Sequence, residues 1–163
     1  MVVSERILKW VMRLYPPLFF QRIWVVSFDI GFRGVCVKIN KSLLNTNYNK
    51  SIFGGTIFSA ADPFYPLLFY QLLTKKGYRI IAWSKSSEIQ YLKPCKTDMR
   101  FKINITDDDL AECEYLLNTF GKYMKYHQID IYDKKEQICV SVINEVYVRN
   151  LDFDQQKNVP LIL

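Results

Sequence analysis

Phe53-Gly54-Gly55 stands near the start of a long apolar stretch, Ile52 to Leu73, and marks the point where the backbone itself could do chemistry. The first amides of a helix have no carbonyl partner and lie at the positive end of its dipole. Two glycines at such a start let a carbonyl oxygen approach those amides, and they equally let a helix pack tightly on a sheet. Eight residues past Gly54 comes Asp62, followed by Pro63. An Asp before Pro reads as a helix cap with Pro in the first helical position, or as a carboxylate left to act as base or nucleophile. A capping Asp has its oxygens engaged by amides and its pKa lowered, which makes it a poorer base. Asn47 belongs to a loop with Asn45 and Asn49, where turn chemistry alone accounts for Asn. Ser84 is readable as an ordinary strand serine.

The other reactive side chains point to packing. Cys36, Cys95, Cys113 and Cys139 are far apart and form no CxxC pair, the pattern of reduced thiols in a cytosolic protein. With a single His127, no zinc set is assembled, so no metal is expected. His127 reads as a partly exposed strand residue. The net charge of +6 is spread along the chain, and the densest groups are the pairs Lys75-Lys76 and Lys134-Lys135. A nucleic-acid surface would need a basic stripe with interleaved aromatics, so nucleic acid is not an expected partner.

Around these residues the periodicity places the elements. Ile7, Trp10, Val11 and Leu14 recur at helical spacing before Pro16-Pro17, which reads as an amphipathic helix packed on the domain, or as a membrane-surface contact. It is too short and too charged to span a bilayer, and it lacks the uninterrupted apolar core and cleavage site of a secretory signal. Trp24, Val26, Phe28 and Ile30 alternate as one strand, and Val35, Val37 and Ile39 as the next. Ile52 to Leu73 predicts a buried helix that Pro63 and Pro66 would kink or restart. Tyr78–Ser84, Ser87–Lys93 and the alternating run from Met99 to Thr106 predict three strands. Thr106 with Asp109 and a closing Gly121 predicts a capped amphipathic helix. Tyr123–Asp133 and Gln137–Arg149 then form a hairpin. A single α+β domain over 1–163 is expected, with an N-terminal helix (1–17), a core (18–150) and a C-terminal tail (151–163).

Asn47 to Asp62, taken together, resembles the active-site motif of hotdog thioesterases of the phenylacetyl-CoA thioesterase type. Asn47, Gly54, Gly55 and Asp62 are in register with it, and Ser84 falls where some relatives carry Ser or Thr. The run Asn-x-Asn, Phe-Gly-Gly, Ala-Asp-Pro-Phe and finally Tyr147-Val148-Arg149 is more similar still to an uncharacterised hotdog family with two extra helices. The resemblance implies an antiparallel sheet wrapped around a long central helix. It implies that Gly54 and Gly55 hold a thioester oxygen while charge develops on it. It likewise implies that Asp62, supplied from the facing subunit, acts as base or nucleophile, that Asn47 orients the water or the carboxylate, and that Ser84 helps place water. Phe53 stands where those thioesterases have His.

The resulting expectation is a cytoplasmic homodimer, or dimer of dimers, that hydrolyses acyl-CoA or an acyl-carrier thioester. No cofactor is expected beyond coenzyme A as part of the substrate. Phe64, Tyr65, Phe69 and Tyr70 are candidates for an acyl tunnel or for ordinary core. A non-catalytic domain that binds a thioester or a protein partner is the alternative, favoured by the missing His. An enoyl hydratase fits less well, because Leu67 stands where its Asp-x-x-x-x-His pair would need His.

Overall fold

The computed structural model describes residues 3–153, so most of the expected tail lies outside the described residues. Helix α1 (Glu5–Leu14) is capped by the Ser4 hydroxyl, and the prolines that end it begin α2 (Pro16–Phe20). Strands β1 (Ile23–Phe28) and β2 (Gly34–Ile39) follow, then α3 (Gly54–Ala61), α4 (Phe64–Lys75) and β3 (Ile80–Tyr91). The chain continues through β4 (Met99–Asn104), α5 (Asp107–Phe120), β5 (Lys122–Asp133) and β6 (Ile138–Asn150). The six strands form one antiparallel sheet in the order β1-β2-β4-β5-β6-β3. α3 and α4 lie against its inner face, which gives the expected α+β hotdog arrangement. Phe64, Leu68, Phe69 and Leu73 of α4 are fully buried among inward side chains such as Val37, Phe101 and Val142.

Pro63 kinks the central helix without stopping it. Asp62 and Pro63 both keep right-handed helical backbone, so α4 resumes one residue later. Pro66 has no N–H to offer the Asp62 carbonyl; the Ser84 hydroxyl donates to that carbonyl instead, at 2.9 Å. The neighbouring Ala61 carbonyl accepts from Nδ2 of Asn144 at 3.0 Å. Asn144 is wholly buried and its Oδ1 accepts from the Ser87 hydroxyl at 2.7 Å. Side chains of β3 and β6 thus satisfy the backbone that the kink leaves open.

Several expectations meet corrections here. Tyr78–Ser84 and Ser87–Lys93 are one strand, β3, with a bulge between Ser84 and Ser86 where the polar run suggested a break. In β1 the buried residues are Ile23, Val25 and Phe28; a bulge between Val25 and Ser27 changes the parity, so Trp24 and Val26 face outward. Ile30 lies past the strand in a 3-10 turn and is 95% exposed. α1 packs through Leu8 and Met12, one turn apart, and leaves Ile7, Trp10, Val11 and Leu14 on the solvent side. Arg13 pins that orientation by donating from Nε to the Val25 carbonyl at 2.7 Å.

α5 follows its sequence signals closely. Thr106 Oγ1 accepts from the Asp109 amide, the Asp109 carboxylate accepts from the Thr106 amide, and Gly121 closes the helix at φ 73°. Burial alone would raise Asp109, but hydrogen bonds from Lys125 and Thr106 outweigh it and bring the pKa down to about 2.

Candidate active site

The start of α3 is built to present amides. The Phe53 amide donates to the Asn45 carbonyl at 2.8 Å, which fixes where the helix begins. Gly54 and Gly55 occupy the next two positions, where an α-helix has no carbonyl to receive their N–H groups. The Tyr91 hydroxyl, from the far end of β3, donates to the Gly54 carbonyl at 3.0 Å. A Cβ on Gly54 would stand 2.8 Å from that hydroxyl oxygen, and one on Gly55 would overlap the Phe53 ring. A side chain at either position would have to displace a half-exposed aromatic ring, Tyr91 or Phe53. Beside them opens a cleft of about 640 Å³ lined by Asn47, Ile57, Pro94 and Cys95 among others.

Asn47 spends its carbonyl on its own loop. Oδ1 accepts from the amides of Asn49 and Ser51 at 3.0 and 3.1 Å, and from the Ser51 hydroxyl at 3.1 Å. The turn reading of Asn47 is thus realised, and its Nδ2 donors are what it can offer to the cleft. Cys95 on the same cleft has its thiol pushed up to about 12 by burial, with neighbouring Cys139 adding to the shift. It stays protonated near neutral pH and is no nucleophile there. Cys113 and Cys139 are also buried, Cys36 is half-buried, and all four thiols are free.

Asp62 lies at the other end of α3. Its helical backbone conformation and the absence of a side-chain cap on α4 remove the capping reading. Among the described residues none bonds its carboxylate. It borders a second cleft of about 370 Å³ with Pro66, Leu67, Tyr70, Trp83 and Ser84. Ser84 is tied to the Asp62 carbonyl, so its hydroxyl fixes the helix at the carboxylate. Phe64, Tyr65 and Phe69 are core, and Tyr70 alone of the candidate tunnel residues reaches this cleft.

Sequence reasoning missed two features of this region. Tyr91 gave no sign of its role, because its partner is thirty-seven residues away. His127 is buried, not partly exposed, and it stacks on Tyr65 at 4.4 Å with Nε2 3.2 Å from the Tyr123 hydroxyl. Its strand parity with Tyr123, Ile129 and Ile131 was the available clue. Burial lowers its pKa, and it borders neither cleft.

Residues 4–148 match the family described as Domain of unknown function (DUF4442). No curated protein matches the sequence. Among solved structures, a protein of unknown function and probable thioesterase from Pseudomonas aeruginosa superposes with a TM-score of 0.81 at 14% identity, covering 92% of this chain and 98% of its own. The E. coli PaaI protein of the phenylacetic acid degradation operon gives 0.56 at 14% identity, covering 91% and 96%. A Streptococcus mutans protein bound to acetyl-CoA gives 0.57 at 19% identity, covering 80% and 91%.

Proposed function

The chain belongs to the DUF4442 family, and for this member we propose hydrolysis of an acyl thioester, with acyl-CoA as the substrate class. The observation that carries the reading is the placement of unpaired helix-start amides and an unengaged carboxylate at the two ends of α3. Gly54 and Asp62 are eight residues apart, about 12 Å along a helix. One protomer therefore cannot direct both groups at a single thioester.

A homodimer resolves this. Among the described residues β3 pairs with β6 alone, leaving a twelve-residue edge strand as a template for pairing. Two such edges, antiparallel about a two-fold axis near Ser87 and Glu88, would set Ser84 of one copy opposite Tyr91 of the other. Asp62 of the partner subunit would then face the Gly54 amides. In that site the amides hold the thioester oxygen as it gains charge. Asp62 of the partner subunit takes a proton from water, the water oxygen adds to the carbonyl carbon, and the C–S bond breaks. The departing thiolate receives the proton, leaving a free acid and a free thiol. The four free thiols fit a cytoplasmic location.

The test is release of free thiol from a panel of acyl-CoAs. Wild type should turn over at least one of them, and Asp62→Asn should reduce the rate by about 100-fold or more. Phe53 in place of a polar residue favours a second reading, a non-catalytic thioester binder; tight binding of acyl-CoA without turnover would establish it. A protein that stays monomeric at micromolar concentration would overturn the shared site.

A further inference from the structure

The outward face of α1 calls for a partner. Ile7, Val11 and Leu14 share one face and Trp10 flanks it, and these four are between 47% and 65% exposed. Phe20 of α2 extends the surface and is 65% exposed. Isolated apolar residues at a surface are ordinary, but a contiguous stripe on one helix marks an interaction site.

Charge indicates which partner. Residues 4–28 carry Arg6, Lys9, Arg13 and Arg22 against the single acid Glu5. Glu5 is turned inward, accepting from the Gly31 amide at 3.0 Å and from Lys75 at 3.2 Å. The Arg13 guanidinium lies over Trp10 at 4.8 Å and over Trp24 at 4.4 Å. That stack joins the helix face to an open notch bordered by Phe19, Arg22, Trp24 and Lys38. Among the described residues, the only carboxylate tied to the notch is Asp98, which pairs with Lys38. The surface is thus a short helix with an apolar face, a Trp at its margin and cations along its flank. This combination favours the boundary between anionic headgroups and acyl chains.

We propose that α1 and α2 dock the protein on anionic phospholipid bilayers, lying in the interface with Ile7, Val11 and Leu14 inserted. No helix of the described residues is long and apolar enough to cross a membrane, so the contact is peripheral. The proposal is independent of catalysis, because neither cleft includes a residue of α1.

The experiment is cosedimentation of the full chain with phosphatidylcholine vesicles, with and without about 30 mol% phosphatidylglycerol. Wild type should partition at least tenfold better onto the anionic vesicles, and added salt should weaken it. Ile7→Glu with Leu14→Glu, both at exposed positions, should abolish binding and leave the thermal midpoint unchanged. Arg6→Glu should weaken binding less. Three results would each overturn the proposal: wild type remaining in the supernatant with both vesicles, equal binding by the double variant, or a lipid-free self-association that the double variant dissolves. The last would assign the face to a second copy of the chain.

Discussion

The two ends of α3 leave different chemical groups available. At the Gly54 end, the Tyr91 hydroxyl holds the Gly54 carbonyl, the Phe53 amide is bonded to the Asn45 carbonyl, and the backbone amides that follow are left available. At the Asp62 end, Ser84 and Asn144 bind the backbone carbonyls, and a side-chain carboxylate is left available. Backbone carbonyls are bound by side chains at both ends, and the ends differ in the group they leave available. Proline explains the second: without Pro63 and Pro66, the helix would use its own carbonyls and Asp62 would ride on an uninterrupted helix. Both ends abut β3, one near Tyr91 and one near Ser84, so the edge strand sets the distance between them. In the proposed dimer these two ends are the half-sites that a second copy completes.

The sharpest way to break this comparison is to disable one end in each of two variants. Asp62→Asn and Gly54→Val should each be nearly inactive alone. Mixed after dissociation, they should regain about a quarter of wild-type thiol release, because half the dimers carry one intact composite site. Failure of the mixture, with mixed dimers confirmed by mass spectrometry, would overturn the shared site.

Stability should separate the ends next. Asn144→Ala leaves the Ala61 carbonyl and the Ser87 hydroxyl without their partner inside the core, and should cost about 2–3 kcal/mol in urea unfolding. Tyr91→Phe, at a half-exposed bond, should cost about 1 kcal/mol or less. Equal losses would mean that the kink is not held as described.

The smallest effect belongs to the core behind both ends. His127 is neutral when folded, because burial lowers its pKa below the ordinary value of about 6.5. The unfolded chain binds that proton more readily, so the stabilisation is complete above about pH 6.5 and is lost as pH falls through the folded value. Urea midpoints should therefore fall between pH 7.5 and pH 5, and His127→Phe should flatten that slope. An unchanged slope would assign the acid sensitivity elsewhere.

Local signals were legible wherever the partner is near in sequence. Thr106 and Asp109 cap each other across three residues, and Val35, Val37 and Ile39 alternate into the core as their spacing requires. The kink at Pro63 was visible too, because a missing N–H acts on its own turn. The buried face of β1 is not legible in the sequence, because a bulge changes parity without changing composition. Nor is the continuity of β3, because a bulge among serines resembles a loop in sequence.

By itself the sequence determined most of the helices and strands, that the stretch Ile52 to Leu73 is a buried helix, and that Gly54 and Gly55 stand near its start and Asp62 at its proline kink. Those properties follow from periodicity, caps and proline, all of which act within a few residues. Only the tertiary structure decided that Asp62 is not a cap, that Asn47 serves its own turn, that His127 is buried, and that α1 turns its apolar face outward. Each of these depends on which distant strand supplies a donor, a carbonyl or a covering surface. The sheet order β1-β2-β4-β5-β6-β3 sets those partners, bringing Asn144 to Ala61 and Tyr91 to Gly54.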